Sequence, residues 1–303
     1  MQICSYIYFF PETRRNLSIM VVRIVTDSTA DLPAEVASSL GITVVPLTVF
    51  FGDEAYLDGV ELGNAEFYVK MAASRDLPRT SQPSPAAFQQ AFQRLIDEGA
   101  DTILSINLSS KLSGTYQSAC TAREALPEST HKVSIEILDS LSISDGLGYA
   151  VQQAARLAQA GKSLEEIKAA ARDTLSRSKI LAVLDTLEYV RRGGRIGGAS
   201  AMLGNMLSFK PIIAVTDGEV VPIERPRTRS KAYARVAQML SEQGAIEHVA
   251  IVQTNSEVGQ QLAEVIQSIY SGELPHYDLG AVIGTHTGPG TAAIAFVTAK
   301  TDV

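Results

Sequence analysis

The sequence predicts an α/β protein of two domains, the first with a mostly parallel sheet flanked by helices. Three observations carry that expectation. The 303 residues exceed one ordinary domain at about 100–200 residues each. Hydrophobic residues are 46% of the chain and charged residues 19%, enough apolar surface for a core and too much for disorder. From residue 21 to residue 175 one pattern recurs three times: an apolar run, a small polar loop, then an amphipathic helix. Such alternation implies β-α-β units and a parallel sheet.

The elements follow in order. Residues 1–19 stand apart as an extension or a mis-assigned start. Their apolar run, residues 3–10, comes before Pro11, Arg14 and Arg15, the reverse of a secretory signal, and Met20 directly precedes the first strand. Residues 21–25 read as that strand, running into Thr26-Asp27-Ser28-Thr29 and a helix over 32–40. Residues 42–51 read as a second strand. Ser84-Pro85 opens a helix, since Ser caps well and Pro suits the first helical position. Residues 102–108 and 134–138 are strands, followed by helices over 115–125 and 146–160. The first domain is assigned to residues 20–178 and the second to 179–303. In the second, strands are expected over 179–184, 210–216, 219–223, 248–253, 279–284 and 292–298. Helices are expected over 187–192, 198–206, 231–243 and 258–270. Asp217-Gly218 is a two-residue hairpin signal.

Composition narrows the function. Lys and Arg number 26 against 33 Asp and Glu, a net charge of −7, which argues against a bulk-basic nucleic-acid binder. No apolar stretch reaches the ~20 residues a membrane span needs. Cys4 and Cys120 form neither a disulfide framework nor a zinc set, which fits a reducing cytoplasm. The four histidines are scattered, so no metal site is expected. No Gly-x-Ser-x-Gly elbow, Walker loop or Gly-x-Gly-x-x-Gly follows a strand.

The loops are more informative. Thr80-Ser81-Gln82-Pro83-Ser84-Pro85, Ser109-Ser110 and Asp139-Ser140 each fall beside a helix start. There, unpaired N–H groups and the helix dipole favour an anion, and in open α/β sheets ligands sit beyond the carboxyl ends of strands. Capping alone would also account for these hydroxyls. Arg191-Arg192-Gly193-Gly194-Arg195 sets three guanidiniums on a close-approach backbone, suited to phosphate or carboxylate oxygens. Arg225, Arg227, Arg229 and Lys231 form a second basic island. His286 sits among glycines after an expected strand, able to reach a site.

Taken together these motifs resemble the DegV family. Ile24-Val25-Thr26-Asp27-Ser28-Thr29-Ala30-Asp31-Leu32-Pro33 is similar to its opening signature. Val45-Pro46-Leu47, the Thr-Ser-Gln-Pro loop, Ser109-Ser110-Lys111-Leu112-Ser113-Gly114, Asp139-Ser140, Glu188 to Ile196, Lys210-Pro211-Ile212 and Gly288-Pro289-Gly290 follow in the family's order. The resemblance spans residues 22–297. It implies a protein that binds one long-chain fatty acid between its two domains, similar to the acyl-carrying subunit of bacterial fatty acid kinase. It also implies no catalytic residues or cofactor of its own, with a separate ATP-dependent kinase subunit making the acyl phosphate. By motif, the carboxylate falls to Thr80, Ser81, Ser109, Ser110 and His286. Phosphate or partner contact falls to Arg191, Arg192, Arg195, Arg225 and Arg227. A Ser/His hydrolase or phosphotransferase acting on a small acidic substrate is the competing reading. Burying about 15 methylenes would supply about 12 kcal/mol before the costs of association, with the polar end setting orientation. The helix bearing Ala199, Met202, Leu203 and Met206 is a candidate tunnel wall.

Overall fold

The computed structural model describes residues 20–130, 132–202 and 209–300; the extension, His131, Leu203 and Met206 lie outside them. The chain begins with β1 (Val22–Asp27), α1 (Ala34–Ser39), β2 (Ile42–Val45), β3 (Thr48–Phe51) and β4 (Glu54–Leu57). Then come α2 (Asn64–Ala73), β5 (Arg79–Ser81), α3 (Pro85–Asp97), β6 (Thr102–Asn107), α4 (Thr115–Glu124), β7 (Ser134–Asp139), α5 (Ser144–Gln159) and α6 (Leu164–Arg177). Strands β2-β1-β6-β7 form one sheet, parallel throughout. Helices α5 and α6 cover one face of it through Leu147, Val151 and Ile167. Helix α3 packs Phe88 and Phe92 on the other face, beside Ala119 and Ala122 of α4. The expected cap is present: Ser84 Oγ accepts from Ala87 N, with Pro85 at the first helical position.

The second half adds β8 (Ser178–Val183), α7 (Glu188–Arg192), β9 (Ile212–Thr216), β10 (Glu219–Glu224), α8 (Arg229–Ser241) and β11 (Ile246–Gln253). It ends with α9 (Ser256–Gln267), β12 (His276–Asp278), α10 (Ala281–Thr287) and β13 (Ala292–Thr298). These six strands make a mixed sheet, β10-β9-β8-β13-β11-β12. Helices α8 and α9 bury Val236, Leu240, Leu262 and Ile266 against one face. Helices α7 and α10 lie over the other, joined there by Leu112 and Ile143 from the first half. Asp217 and Gly218 take φ of 49° and 81°, the left-handed pair that a tight hairpin needs.

Three expectations are corrected. Residues 42–51 are two strands. Pro46 has no N–H to continue a ladder, Leu47 N instead donates to Ser28 Oγ, and β3 starts a separate antiparallel sheet, β4-β3-β5. Residues 279–284, expected as a strand, lead into helix α10. Its run Ala281-Val282-Ile283 is buried on every side, and a short, wholly buried apolar run has no periodicity to tell helix from strand. Of the helix expected over 198–206, the described part is a 3₁₀ stretch, Gly197–Met202, and residues 203–206 lie outside the described residues.

Candidate functional site

Between the sheet face beneath α7 and α10 and the carboxyl ends of the parallel strands lies a cavity of about 990 Å³, its mouth included. Val220, Val215 and Ile213, Ile180 and Ala182, Ala293, and Val252 form its floor. They come from five neighbouring strands, so the floor spans about 19 Å. Small residues make the room: Ala182 and Ala293 are cross-strand partners, where larger β-formers would fill the space. Leu47 and Leu108, each beyond a strand of the first half, and Ile143 at the start of α5 form the opposite wall with Val282 and Ile283. The floor side chains are all apolar.

The polar lining falls in two places: Thr29 and Ser144 lie towards the start of α10, where Ser144 donates to Asp31, and a larger group lies at its end. Thr80, Ser81 and Gln82 of the β5 loop, Ser113, Arg195, and His286 and Thr287 at the end of α10 all line the cavity. Thr80 Oγ1 and His286 Nε2 are 2.9 Å apart although they are 206 residues apart in sequence. Burial first, and the nearby Arg195 cation second, hold the His286 imidazole down at about 4, so the ring is neutral at pH 7. A neutral ring protonated at Nε2 can donate to Thr80 Oγ1, leaving the threonine's own proton for an acceptor in the cavity. The ring's seat depends on a missing side chain: a Cβ on Gly193 would lie 2.1 Å from His286 Nδ1. A chamber with an apolar floor, and with hydroxyls, an amide, an imidazole and one guanidinium grouped around the end of α10, can hold a hydrophobic molecule that carries one carboxylate.

Comparison with known proteins places this architecture. Residues 21–299 match the family model described as "Uncharacterised protein, DegV family". The chain belongs to the DegV family. It is 38% identical over 288 residues to a DegV domain-containing protein of Halalkalibacterium halodurans, covering 92% of this chain and 99% of that one. It is 36% identical over 280 residues to one of Streptomyces coelicolor, covering 90% and 97%. Among solved structures, a DegV family protein from Thermus thermophilus, described for its fatty acid binding, superimposes with a TM-score of 0.84 at 34% identity. That match covers 92% of this chain and all of the other. DegV of Bacillus subtilis, described as a fatty acid binding protein, gives 0.80 at 31% identity, again over 92% of this chain and all of the other.

Within this DegV fold the expected site residues separate. Thr80, Ser81 and His286 meet at the cavity. The double serine does not reach it. Ser109 Oγ donates to Gly218 O and accepts from Lys111 N, tying the loop to the β9–β10 hairpin. Ser110 is exposed and lines a surface recess shared with Lys111, Ser113 and Arg195. Arg195, assigned by motif to phosphate or partner contact, lines both recess and cavity, with Nε donating to Leu112 O. Arg191 and Arg192 both turn back onto Glu188 and stay exposed. Arg225 donates to Met202 O and lies over the Phe209 ring, and Arg227 is exposed. Ala199 and Met202 are core residues beside the cavity but do not line it. Among the described residues no helix is long and apolar enough to cross a membrane.

Two features escaped the reading of the sequence. Helix α10, which carries His286, is clasped at its start by carboxylates of the first half: Asp31 Oδ1 accepts from Gly280 N and Asp58 Oδ1 from Ala281 N. Desolvation raises Asp31 well above the usual carboxylate range and Asp58 to about 6. His248, which looked unremarkable, forms a 2.8 Å pair with the buried Asp145. It also stacks on Tyr149 at 3.9 Å between ring centroids. No sequence spacing relates these partners; they meet only when the halves dock.

Proposed function

We propose that this protein binds one long-chain fatty acid in the cavity, with the carboxylate at Thr80, Ser81, His286 and Arg195. The observation that carries the reading is the arrangement of the cavity: an apolar floor, with the imidazole, the guanidinium and most of the hydroxyls grouped around the end of α10. The family supports it, since relatives of this fold are described as fatty acid binders. The chain acts as a carrier in the cytoplasm, its two domains meeting near residue 178, where α6 gives way to β8. It presents the carboxylate to a separate ATP-dependent kinase subunit for conversion to acyl phosphate. The recess of Ser110, Lys111 and Arg195, open to solvent beside the polar end, suits the phosphate side of that transfer. Exposed Arg191, Arg192, Arg225 and Arg227 are the partner-facing cations.

Native mass spectrometry of the purified protein tests binding: the expected result is extra mass equal to a fatty acid, lost on denaturation. A protein that purifies empty and takes up no palmitate after delipidation would end the proposal. With a cognate kinase subunit and ATP, Arg191→Ala should keep fatty acid affinity and lower acyl phosphate formation. Equal loss of both would refute the division of roles.

A further inference from the structure

Thr29 and Ser144 line the cavity from the first half, on the same wall as Leu47, Leu108 and Ile143 and away from the group around His286. Both are almost fully buried, at 1% and 4% exposure. Each spends its proton on a buried carboxylate. Thr29 Oγ1 donates to Asp27 Oδ1, and Ser144 Oγ donates to Asp31 Oδ2 at 2.6 Å. Further donors hold the same carboxylates as acceptors: Asn107 Nδ2 and Leu108 N on Asp27 Oδ2, and Gly280 N on Asp31 Oδ1. A hydroxyl has one proton and two lone pairs, so both oxygens keep acceptor capacity and have no proton left to give. The backbone is held to this arrangement against its preference. Asp31 and Ser144 take φ of 50° and 51°, the left-handed region that side chains other than glycine rarely adopt, and the hydrogen bond joins these two residues.

Helix α10 gives the position of this wall along the cavity. Val282, Ile283, His286 and Thr287 all line it, a stripe at helical spacing, so the helix lies along the cavity. Gly280, which shares Asp31 with Ser144, precedes His286 by about 9 Å at 1.5 Å per residue. An acyl chain advances about 1.25 Å per carbon, from C–C bonds of about 1.5 Å set in a zigzag, so a chain anchored at His286 passes Ser144 about seven carbons along.

We propose that Thr29 and Ser144 form a second binding point in the cavity that accepts a hydroxyl carried near the middle of the acyl chain, so that the ligands of this protein include mid-chain hydroxy fatty acids. This rests on the fatty acid reading and deepens it by naming a substrate class. The ligand hydroxyl supplies the proton that the two oxygens lack. An unsubstituted chain leaves each oxygen bonded to its own carboxylate and fits as well. A carboxylate, which only accepts, gains nothing there beside two buried acids, so the same accounting keeps the head group at Thr80 and His286.

The experiment is a calorimetric titration of delipidated protein with stearate and with stearates hydroxylated near mid-chain or at the terminal carbon. Wild type should bind the mid-chain hydroxystearate within about 3-fold of stearate, whereas the terminal hydroxyl should cost about 10-fold or more, since a hydroxyl taken from water without a partner is penalised. Ser144→Ala and Thr29→Val each remove one acceptor and should weaken the mid-chain hydroxystearate by about 10-fold relative to stearate in the same variant. Taking the ratio within one variant cancels any general loss from freeing Asp31 or Asp27, and the wild-type series needs neither variant to fold. A mid-chain hydroxyl tolerated no better than the terminal one, or a ratio in both folded variants equal to wild type, would overturn the proposal while leaving stearate binding intact. If wild type binds no stearate, the fatty acid reading itself has failed.

Discussion

Replacing Ala293 with Leu separates an open chamber from a packed core by the sign of two effects. Ala293 is 4% exposed, faces the cavity from β13 and lies opposite Ala182. Leucine adds three carbons, which displace about three methylenes of a bound chain at about 0.8 kcal/mol each. The expected loss is about 2.4 kcal/mol, or about 60-fold in Kd. In the delipidated protein the same carbons enter empty apolar space, so stability in urea should hold or rise by up to about 2 kcal/mol. Ala171→Leu, in the fully buried cluster under α6, is the control, expected to cost about 1–3 kcal/mol through overpacking. Palmitate titration and urea unfolding of both variants give the answer. If Ala293→Leu destabilises like the control and leaves palmitate affinity intact, that sheet face is ordinary core and the carrier reading fails.

Thr80→Val keeps shape and removes the hydroxyl. A hydrogen bond to a charged group contributes about 1.5–3 kcal/mol, so palmitate affinity should fall roughly 10- to 100-fold, while binding of a neutral long-chain alcohol should change less. Gly193→Ala places a methyl on the His286 ring position and should match His286→Ala in lost palmitate affinity; wild-type affinity in Gly193→Ala would place the ring elsewhere. His286 titrates at about 4 when folded against an ordinary 6.5. Its contribution is therefore full above pH 6.5 and lost as pH falls towards 4, up to about 3 kcal/mol. Asp58 runs the other way: raised from 3.8 to about 6, it favours the fold below pH 3.8 and loses that contribution as pH rises through 6. Asp58→Asn should thus gain roughly 1–3 kcal/mol at pH 7, the gain over wild type growing as pH rises from 4 to 6, as read by urea unfolding of both proteins across that range. A variant less stable than wild type at pH 7 would contradict the raised carboxylate.

What could be read beforehand follows from range in sequence. The parallel sheet was legible because each β-α unit repeats locally, and Ser84-Pro85 and Asp217-Gly218 were legible because caps and tight turns depend on adjacent residues. Helix α6 was missed although Ser163 and Glu166 form a capping box, a signal present in four consecutive residues. Helix α2 offered less, since only Phe67 and Met71 on it are buried. His286 and Thr80 came from separate motifs, and only the fold makes them neighbours. The double serine failed in a physical way: Ser109 lies beside a strand end, as expected of a ligand-binding hydroxyl, but the hairpin carbonyl of Gly218 claims its proton. No local pattern could foretell a partner 109 residues away.

The placement of α10 links these observations. It belongs by sequence to the second half, yet the first half grips both its ends: Asp31 and Asp58 take the Gly280 and Ala281 amides at the start, and Thr80 meets His286 at the finish. Ser144, at the start of α5, donates to Asp31 Oδ2 at 2.6 Å. Asp31 thus fastens three segments at one carboxylate. Burying such carboxylates is costly, and their raised titration directly expresses that cost. What offsets it is amide donation at a helix start, where the dipole favours negative charge, and the outcome is position. His286 can meet Thr80 only if α10 neither slides nor tilts relative to the parallel sheet. The polar end of the cavity is therefore set by the docking of the two halves, and the carboxylates that weaken the fold at neutral pH hold that docking in register.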